Sequence, residues 1–398
     1  MTHTVWILLA WLFAILPGQA GSDSPTLRRS DSPAVLPGID VLLSDSSALI
    51  AGKRLGLITN QTGIDAHGVS TIDRLADTTH DARRTTFRLV ALFAPEHGIR
   101  GTSRPGEVVS DTTDPATGLP IYSLYGANRA PTGAQLDGLD VLIVDLQDIG
   151  ARTWTYVSTM VFALRAAQAA GKRVLVLDRP NPIGCAVEGP VLDSANASFI
   201  GLLPIPLRHG MTMGELARFA NVEQNIHADL VVVPVQGWRR CTWFDHTGLP
   251  WVRPSPNLPD LASVAWYPGT VLFEATNLSV GRGTDAPFRQ VGAPWLAVPR
   301  GRAWRPVTFT PQSPGDGKLA NTMCRGLRLN DFDRRRDRSV GAALRLLDAI
   351  AAANPDSLRV DARGMAIRLG KPWHAGFVAD NREVDDFKRQ ARPYLLYR

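Results

Sequence analysis

Glu96, His97 and Arg100 crowd one short turn, Phe93-Ala-Pro-Glu96-His97-Gly98-Ile-Arg100-Gly101. A carboxylate beside an imidazole and a guanidinium is equipped for proton transfer to a leaving oxygen. Glycosidic cleavage needs one carboxylic acid for that step. It also needs a second group as base or nucleophile, or help from an acetamido group on the substrate. Glu96 is the best acid, because it ends an apolar run where burial favours the protonated form. Asp148 is the second carboxylate, Glu274 the third, and Glu188 a further one in a turn that reads as structural. His97 orients Glu96 or takes a proton itself; a hydrogen-bonded loop histidine is the plainer alternative. Arg100, Arg152, Arg208 and Arg282 flank these turns, and an arginine fork suits a substrate carboxylate. For each arginine the competing role is a structural ion pair, Glu96 with Arg100 being the first such pair to expect.

The elements that must position these groups follow from hydrophobic patterning. Leu89-Val-Ala-Leu-Phe93 reads as a buried strand that stops at Pro95, which cannot donate to a ladder. Gly98 and Gly101 allow the tight turn after it. Similar apolar runs occur at Arg54–Asn60, Val141–Val144, Val174–Leu177 and Asp229–Val233, each of the first four strands running into a polar turn. Helical spacing appears at Ser70–Ala76 and from Trp154 onward, with Val157, Met160, Val161 and Leu164 on one face and Gly171 as the stop. Thr212-Met-Gly-Glu215 is a capping-box sequence. Alternating helices and continuously apolar strands predict a mostly parallel α/β sheet covered on both faces. Its carboxyl edge then gathers Asn60, Glu96, His97, Arg100, Asp148, Arg152, Asp178, Arg179 and Asn181. Thr102–Asn128 lacks periodicity and reads as a loop over that edge.

The 398 residues suggest more than one domain. A Pro-rich stretch, Trp251–Pro259, opens the second. Thr270–Glu274 reads as a strand there, and Ser339 as the cap of a helix carrying Val340, Ala343, Leu344, Leu347 and Ile350. We therefore expect a signal at residues 1–20, a flexible leader at 21–37, an N-terminal domain at 38–250 and a smaller α+β domain at 251–398. The apolar run Trp6–Leu16, followed by small residues up to Ala20, predicts secretion with cleavage near Ala20 and a periplasmic or secreted product. No cysteine follows that run, so no lipid anchor is expected.

Net charge is +6 and 20% of residues are charged, without a basic block carrying interleaved aromatics. Nucleic-acid binding is therefore excluded, while an anionic small substrate or polymer suits the field. The three cysteines, Cys185, Cys241 and Cys324, show no zinc spacing. They allow one disulfide at most and read as ordinary small apolar residues. There is no G-x-S-x-G elbow, H-E-x-x-H pair or Walker loop. Gly281-Arg-Gly283-Thr-Asp-Ala286 matches a dinucleotide fingerprint in form, but Pro287 forbids the helix that must follow.

With these turns assembled, the chain resembles the NamZ-type exo-β-N-acetylmuramidases. The matching stretches are Gly56–Gly63, Phe93–Gly101, Asp145–Tyr156, Leu177–Pro182, Glu188–Pro190, Arg208–Thr212, Ser255–Asn257 and Glu274–Thr284. They cover roughly residues 50–290 in order. The resemblance implies a Rossmann-like N-terminal domain, a smaller C-terminal domain and an active site in the cleft between them. It implies release of terminal N-acetylmuramic acid from peptidoglycan fragments. Apart from the resemblance, the residues themselves lead us to expect no cofactor, no metal and no stable membrane anchor. Glu96, His97 and Asp148 become the expected catalytic set. Asn60, Arg100, Arg152, Tyr156, Asn181, Arg208, Glu274, Asn277 and Arg282 become the expected substrate contacts. Ala275 departs from the family's usual glycine, and Trp154 stands where Phe or Tyr is common. Two competing functions use the same residues: a non-catalytic wall-sugar binder in the same cleft, and a hydrolase of another wall bond such as an amidase or esterase.

Overall fold

A computed structural model describes residues 35–77, 87–96, 98–101 and 111–398. The expected signal, most of the leader and His97 lie outside the described residues. The first sheet contains β1 (Arg54–Thr59), β2 (Arg88–Ala94), β3 (Thr112–Thr113), β4 (Pro120–Ser123), β5 (Val141–Asp145), β6 (Arg173–Leu177) and, after a β7–β8 ribbon, β9 (Leu230–Val233). The ribbon pairs β7 (Glu188–Val191) with β8 (Pro206–Arg208). The sheet order is β3-β4-β2-β1-β5-β6-β9, and every pair is parallel except β3 with β4. Leaving aside that antiparallel edge, this is the 3-2-1-4-5-6 order of a Rossmann sheet, whose direction of growth reverses between β1 and β5. Ligands bind outside the carboxyl ends of strands at such a reversal. Asn60 follows β1, and Glu96 follows β2 beside it.

Helices α1 (Gly38–Ser44), α2 (Thr71–Ala76), α3 (Gly133–Asp137), α4 (Thr155–Ala169) and α5 (Met213–Glu223) accompany the sheet. Helix α4 buries Tyr156, Val157, Met160, Val161 and Leu164, as its spacing predicts, and ends before Gly171 at φ +62°. Thr212 and Glu215 form the reciprocal capping box of α5. The smaller C-terminal part holds α6 (Leu261–Thr270), an antiparallel sheet of β10 (Gln290–Ala293), β12 (Cys324–Leu329) and β11 (Trp304–Phe309) in that order, and helices α7 (Ser339–Ala353), α8 (Ala362–Leu369) and α9 (Asn381–Ala391). One hydrophobic core runs through both parts, from Ile58 and Phe93 to Val291 and Leu347.

Several expectations are corrected. Thr270–Glu274 is not a strand: it continues α6 as a 3₁₀ turn, Val271–Ala275, because both flanks of the segment are buried and helical packing satisfies its backbone. Ser339 is the first helical residue of α7 rather than its cap, a place taken by Arg338. Thr102–Asn128 is not a plain loop, since its described part contributes β3 and β4 to the sheet. Val35–Pro37 is tied down, with Leu36 and Gln236 exchanging both backbone hydrogen bonds. Cys185 and Cys241 are not simple apolar fillers. They form a disulfide with a Cα–Cα distance of 4.7 Å, while Cys324 stays free and buried.

Candidate active site

Strand β2 ends fully buried at Phe93 and Ala94, and Pro95 turns the chain so that Glu96 emerges half-buried. Gly101 closes the turn at φ +68°, where a Cβ would meet the Gln61 side chain at 2.5 Å. The Glu96 carboxylate is held by hydroxyls. Thr155, the first residue of α4, donates to Oε2 at 3.0 Å. The Tyr125 phenol also hydrogen-bonds it; burial, then the Glu96 charge and that bond, push the Tyr125 pKa up.

The turn after β1 fixes the opposite wall. Asn60 donates to the Tyr156 hydroxyl at 2.6 Å and accepts from the Thr62 backbone and hydroxyl. Tyr156 in turn donates to the Pro254 carbonyl at 3.2 Å, and Gln61 donates to the Arg253 carbonyl at 3.0 Å. These bonds pin the Pro-rich segment across the sheet edge and bring Ser255 and Asn257 to the cleft.

The result is a cavity of about 120 Å³. Glu96, Thr153, Trp154 and Thr155 line it from the sheet side; Tyr267, Glu274, Arg282 and Arg368 line it from the C-terminal part. Arg282 donates to Glu274 Oε1 through Nε (2.9 Å) and Nη2 (2.5 Å), and Arg368 reaches Oε2 at 3.4 Å. Lys318 bonds the Glu274 and Thr276 carbonyls, both at 2.6 Å. Burial alone would raise the Glu274 pKa, but Arg282 and then Arg368 outweigh it and hold the carboxyl below its ordinary range. Glu274 is therefore an anion locked in a guanidinium clamp, whereas Glu96 meets hydroxyls among the described residues.

Of the residues expected at the site, the cavity wall includes Glu96, Glu274 and Arg282. Asn60 and Tyr156 support it from behind. The others find partners elsewhere. Arg100 forks onto the buried Asp114 rather than Glu96, with Nη2 at 3.0 Å from Oδ2, and lies 3.9 Å from Asp73. Arg152 is buried and donates to the carbonyls of Pro190, Ile205 and Arg368; burial lowers its pKa to about 9. Arg208 pairs with Glu188 at 2.5 Å, and Glu188 also accepts from the Val340 backbone. Asp148 faces His209 at 3.3 Å and accepts from the Gly150 backbone. Asn181 bonds the Met211 carbonyl and the Ile183 amide, while Asn277 bonds the Ser357 carbonyl and the Arg359 amide. Asp148, Arg100, Arg152, Arg208, Asn181 and Asn277 are thus not among the lining residues; they hold the loops that shape the cavity. No group of three or more His, Cys, Asp or Glu poised for a metal occurs among the described residues.

Sequence reasoning missed Arg368, Tyr125, Lys318 and Thr155. Thr155 sits inside the Asp145–Tyr156 stretch and was within reach. Arg368 is on α8, in a region without any local motif. A larger groove of about 610 Å³ lies between β7, α7 and α9, where the apolar Val340, Leu344, Phe377 and Val384 alternate with the charged Glu188, Arg338, Arg345, Asp348, Asp385 and Lys388; neither Glu96 nor Glu274 lines it.

The Rossmann strand order thus sets a strand-end carboxylate, held by hydroxyls, in a small cavity that the C-terminal part closes. The family pattern described as Exo-beta-N-acetylmuramidase NamZ, N-terminal, matches residues 55–262, and its C-terminal counterpart matches 265–397. The chain belongs to this family of glycosidases. It is 38% identical over 423 residues to the peptidoglycan beta-N-acetylmuramidase NamZ of Bacillus subtilis (strain 168), the match covering 100% of both chains. Crystal structures of two DUF1343 family proteins from Bacteroides fragilis NCTC 9343 are also similar. One has a TM-score of 0.80 at 33% identity and the other 0.74 at 32%; each match covers 92% of this chain and 100% or 99% of the other.

Proposed function

We propose that this chain is an exo-acting glycoside hydrolase that releases terminal N-acetylmuramic acid from peptidoglycan fragments, with Glu96 as the general acid/base. The observation that carries the assignment of Glu96 is its setting. Among the described residues, it is the carboxylate of the cavity whose bonds come from the hydroxyls of Thr155 and Tyr125 rather than from a cation. A carboxyl in that setting can lend a proton to the glycosidic oxygen and recover it from water in the second half of the reaction. Glu274 stays charged and clamped, so its part is to hold Arg282 and Arg368 in place. The pairing of Asp148 with His209 supports a positioning role for it, in the loop that leads into α4.

Turnover of a chromogenic β-N-acetylmuramide tests the reading, with the N-acetylglucosaminide as control sugar. The muramide should be cleaved preferentially, and Glu96→Gln should lose about 10²- to 10⁴-fold in kcat, the usual contribution of a positioned acid. Binding of muramic acid without cleavage of either sugar would turn the reading into that of a wall-sugar binder.

We also infer export to the periplasm or beyond. The apolar N-terminal run motivates this, and the Cys185–Cys241 disulfide supports it, because such bonds persist in oxidising compartments. No described helix is long and apolar enough to cross a membrane. Fractionation of expressing cells checks the inference: activity confined to the cytoplasm would refute it.

A further inference from the structure

The cavity holds more hydrogen-bond donors than the described residues use. Arg368 gives Nη1 to the Gly364 carbonyl at 3.2 Å and Nη2 to Glu274, yet its Nε is buried without an acceptor. The Trp154 indole N–H is likewise buried without one. Its ring is only 8% exposed and is fixed edge-on by Tyr156 and Tyr267, at 5.0 and 6.1 Å between ring centres. Both residues line the same small cavity as Glu96.

The charges around Glu274 are also unbalanced. Arg282, Arg368 and Lys318 gather there against Glu274 itself and Asp316, which lies 3.9 Å from Arg282. Immediately around Glu274 three positive charges stand against two negative, an excess of one before the Glu96 carboxylate on the opposite wall is counted. A buried donor left without an acceptor loses its hydration and gains nothing in return. A cavity that keeps two of them beside the cluster of Arg282, Arg368 and Lys318 is organised for an anionic acceptor that arrives from outside.

We propose that Arg368 and Trp154, with Arg282 behind them, form the receptor for one carboxylate carried by the sugar whose bond Glu96 protonates. This rests on the muramidase reading, under which that carboxylate is the lactyl ether substituent of muramic acid. Glucosamine lacks the group and would leave both donors unpaired, so Arg368 and Trp154 set the specificity between the two sugars. A site built to bond a polar substituent rejects the analogue without it far more strongly than a merely shaped pocket does. Arg152 takes part indirectly: its Nη2 holds the Arg368 carbonyl at 2.7 Å, fixing the end of α8 that presents the receptor arginine.

Calorimetric binding to the full Glu96→Gln chain tests this without turnover. The probes are N-acetylmuramic acid, its lactyl methyl ester and N-acetylglucosamine. The free acid should bind about 10- to 100-fold tighter than the ester or the glucosamine, the range expected of a hydrogen bond to a charged group. Adding Arg368→Gln should erase that preference while leaving the two uncharged sugars within a few-fold. Trp154→Phe keeps the ring, removes the N–H and should lose several-fold for the acid alone. Equal binding of acid and ester, an equal loss for all three sugars in Arg368→Gln, or no binding of any sugar would overturn the proposal. Failure of the muramidase reading looks different: the unsubstituted chain would cleave no muramide, yet the preference for the acid would persist.

Discussion

Asp178, at the end of β6, offers a quantitative test of how this sheet edge is wired. Its carboxylate is fully buried, with Oδ1 accepting from the Gly214 amide at 2.8 Å and Oδ2 from the hydroxyls of Thr212 (2.7 Å) and Tyr397 (2.5 Å). Burial outweighs those bonds and pushes its pKa from 3.8 up to about 6, with the Glu215 charge adding to the rise. The folded chain therefore holds this proton more tightly than the unfolded chain. Between about pH 4 and 6 the unfolded state gives it up first, so stability falls as pH climbs through that window. At 1.36 kcal/mol per pKa unit the loss reaches roughly 3 kcal/mol by pH 7. Asp178→Asn removes the ionisation while keeping the shape. Urea unfolding of both chains from pH 4 to pH 7 isolates the effect, because other titrating groups cancel in the difference. Stability of the Asp178→Asn variant relative to the unsubstituted chain should rise by roughly 3 kcal/mol across that range. A difference that stays flat with pH would show that Asp178 ionises alike folded and unfolded, and would refute the argument.

Two other perturbations follow from the same structure. Cys185 and Cys241 close a loop with a separation of 56 residues, so the disulfide should contribute about 4 kcal/mol by loop-closure entropy. Unfolding with and without reductant, or of Cys185→Ala/Cys241→Ala, measures it, and an unchanged midpoint would sink the estimate. Arg152→Met leaves two buried carbonyls and one partly buried carbonyl without their donor and should cost about 2–4 kcal/mol of stability. Its loss of muramide binding should be smaller than that of Arg368→Gln, since Arg152 acts through the backbone of α8; a larger loss, with stability unchanged, would make it a direct ligand.

Five strands of the sheet, β1, β2, β5, β6 and β9, were legible because each is a local apolar run, and the turns after them because Pro, Gly and Asn interrupt those runs; β3 and β4, short and polar, were not. The capping box at Thr212 and Glu215 and the stop at Gly171 were legible for the same reason: each is settled within a few residues. Thr270–Glu274 was misread because a short apolar run does not distinguish a buried strand from a buried helical turn. Packing of the segment against α8, in continuation of α6, decided it.

The sequence by itself determined which polar groups stand at the ends of the strands, and hence that Glu96 would emerge from a buried run at the sheet's carboxyl edge. Only the tertiary structure decided what those groups do. Arg100, Arg152 and Arg208 are chemically as able to hold a substrate as Arg282, yet Asp114, three backbone carbonyls and Glu188 claim them. Arg368 enters the cavity from α8, and the disulfide joins two distant loops. Charge and hydrogen-bonding capacity belong to a residue, but the free energy of using them depends on the neighbours that folding supplies. Those neighbours come from parts of the chain that no local pattern connects.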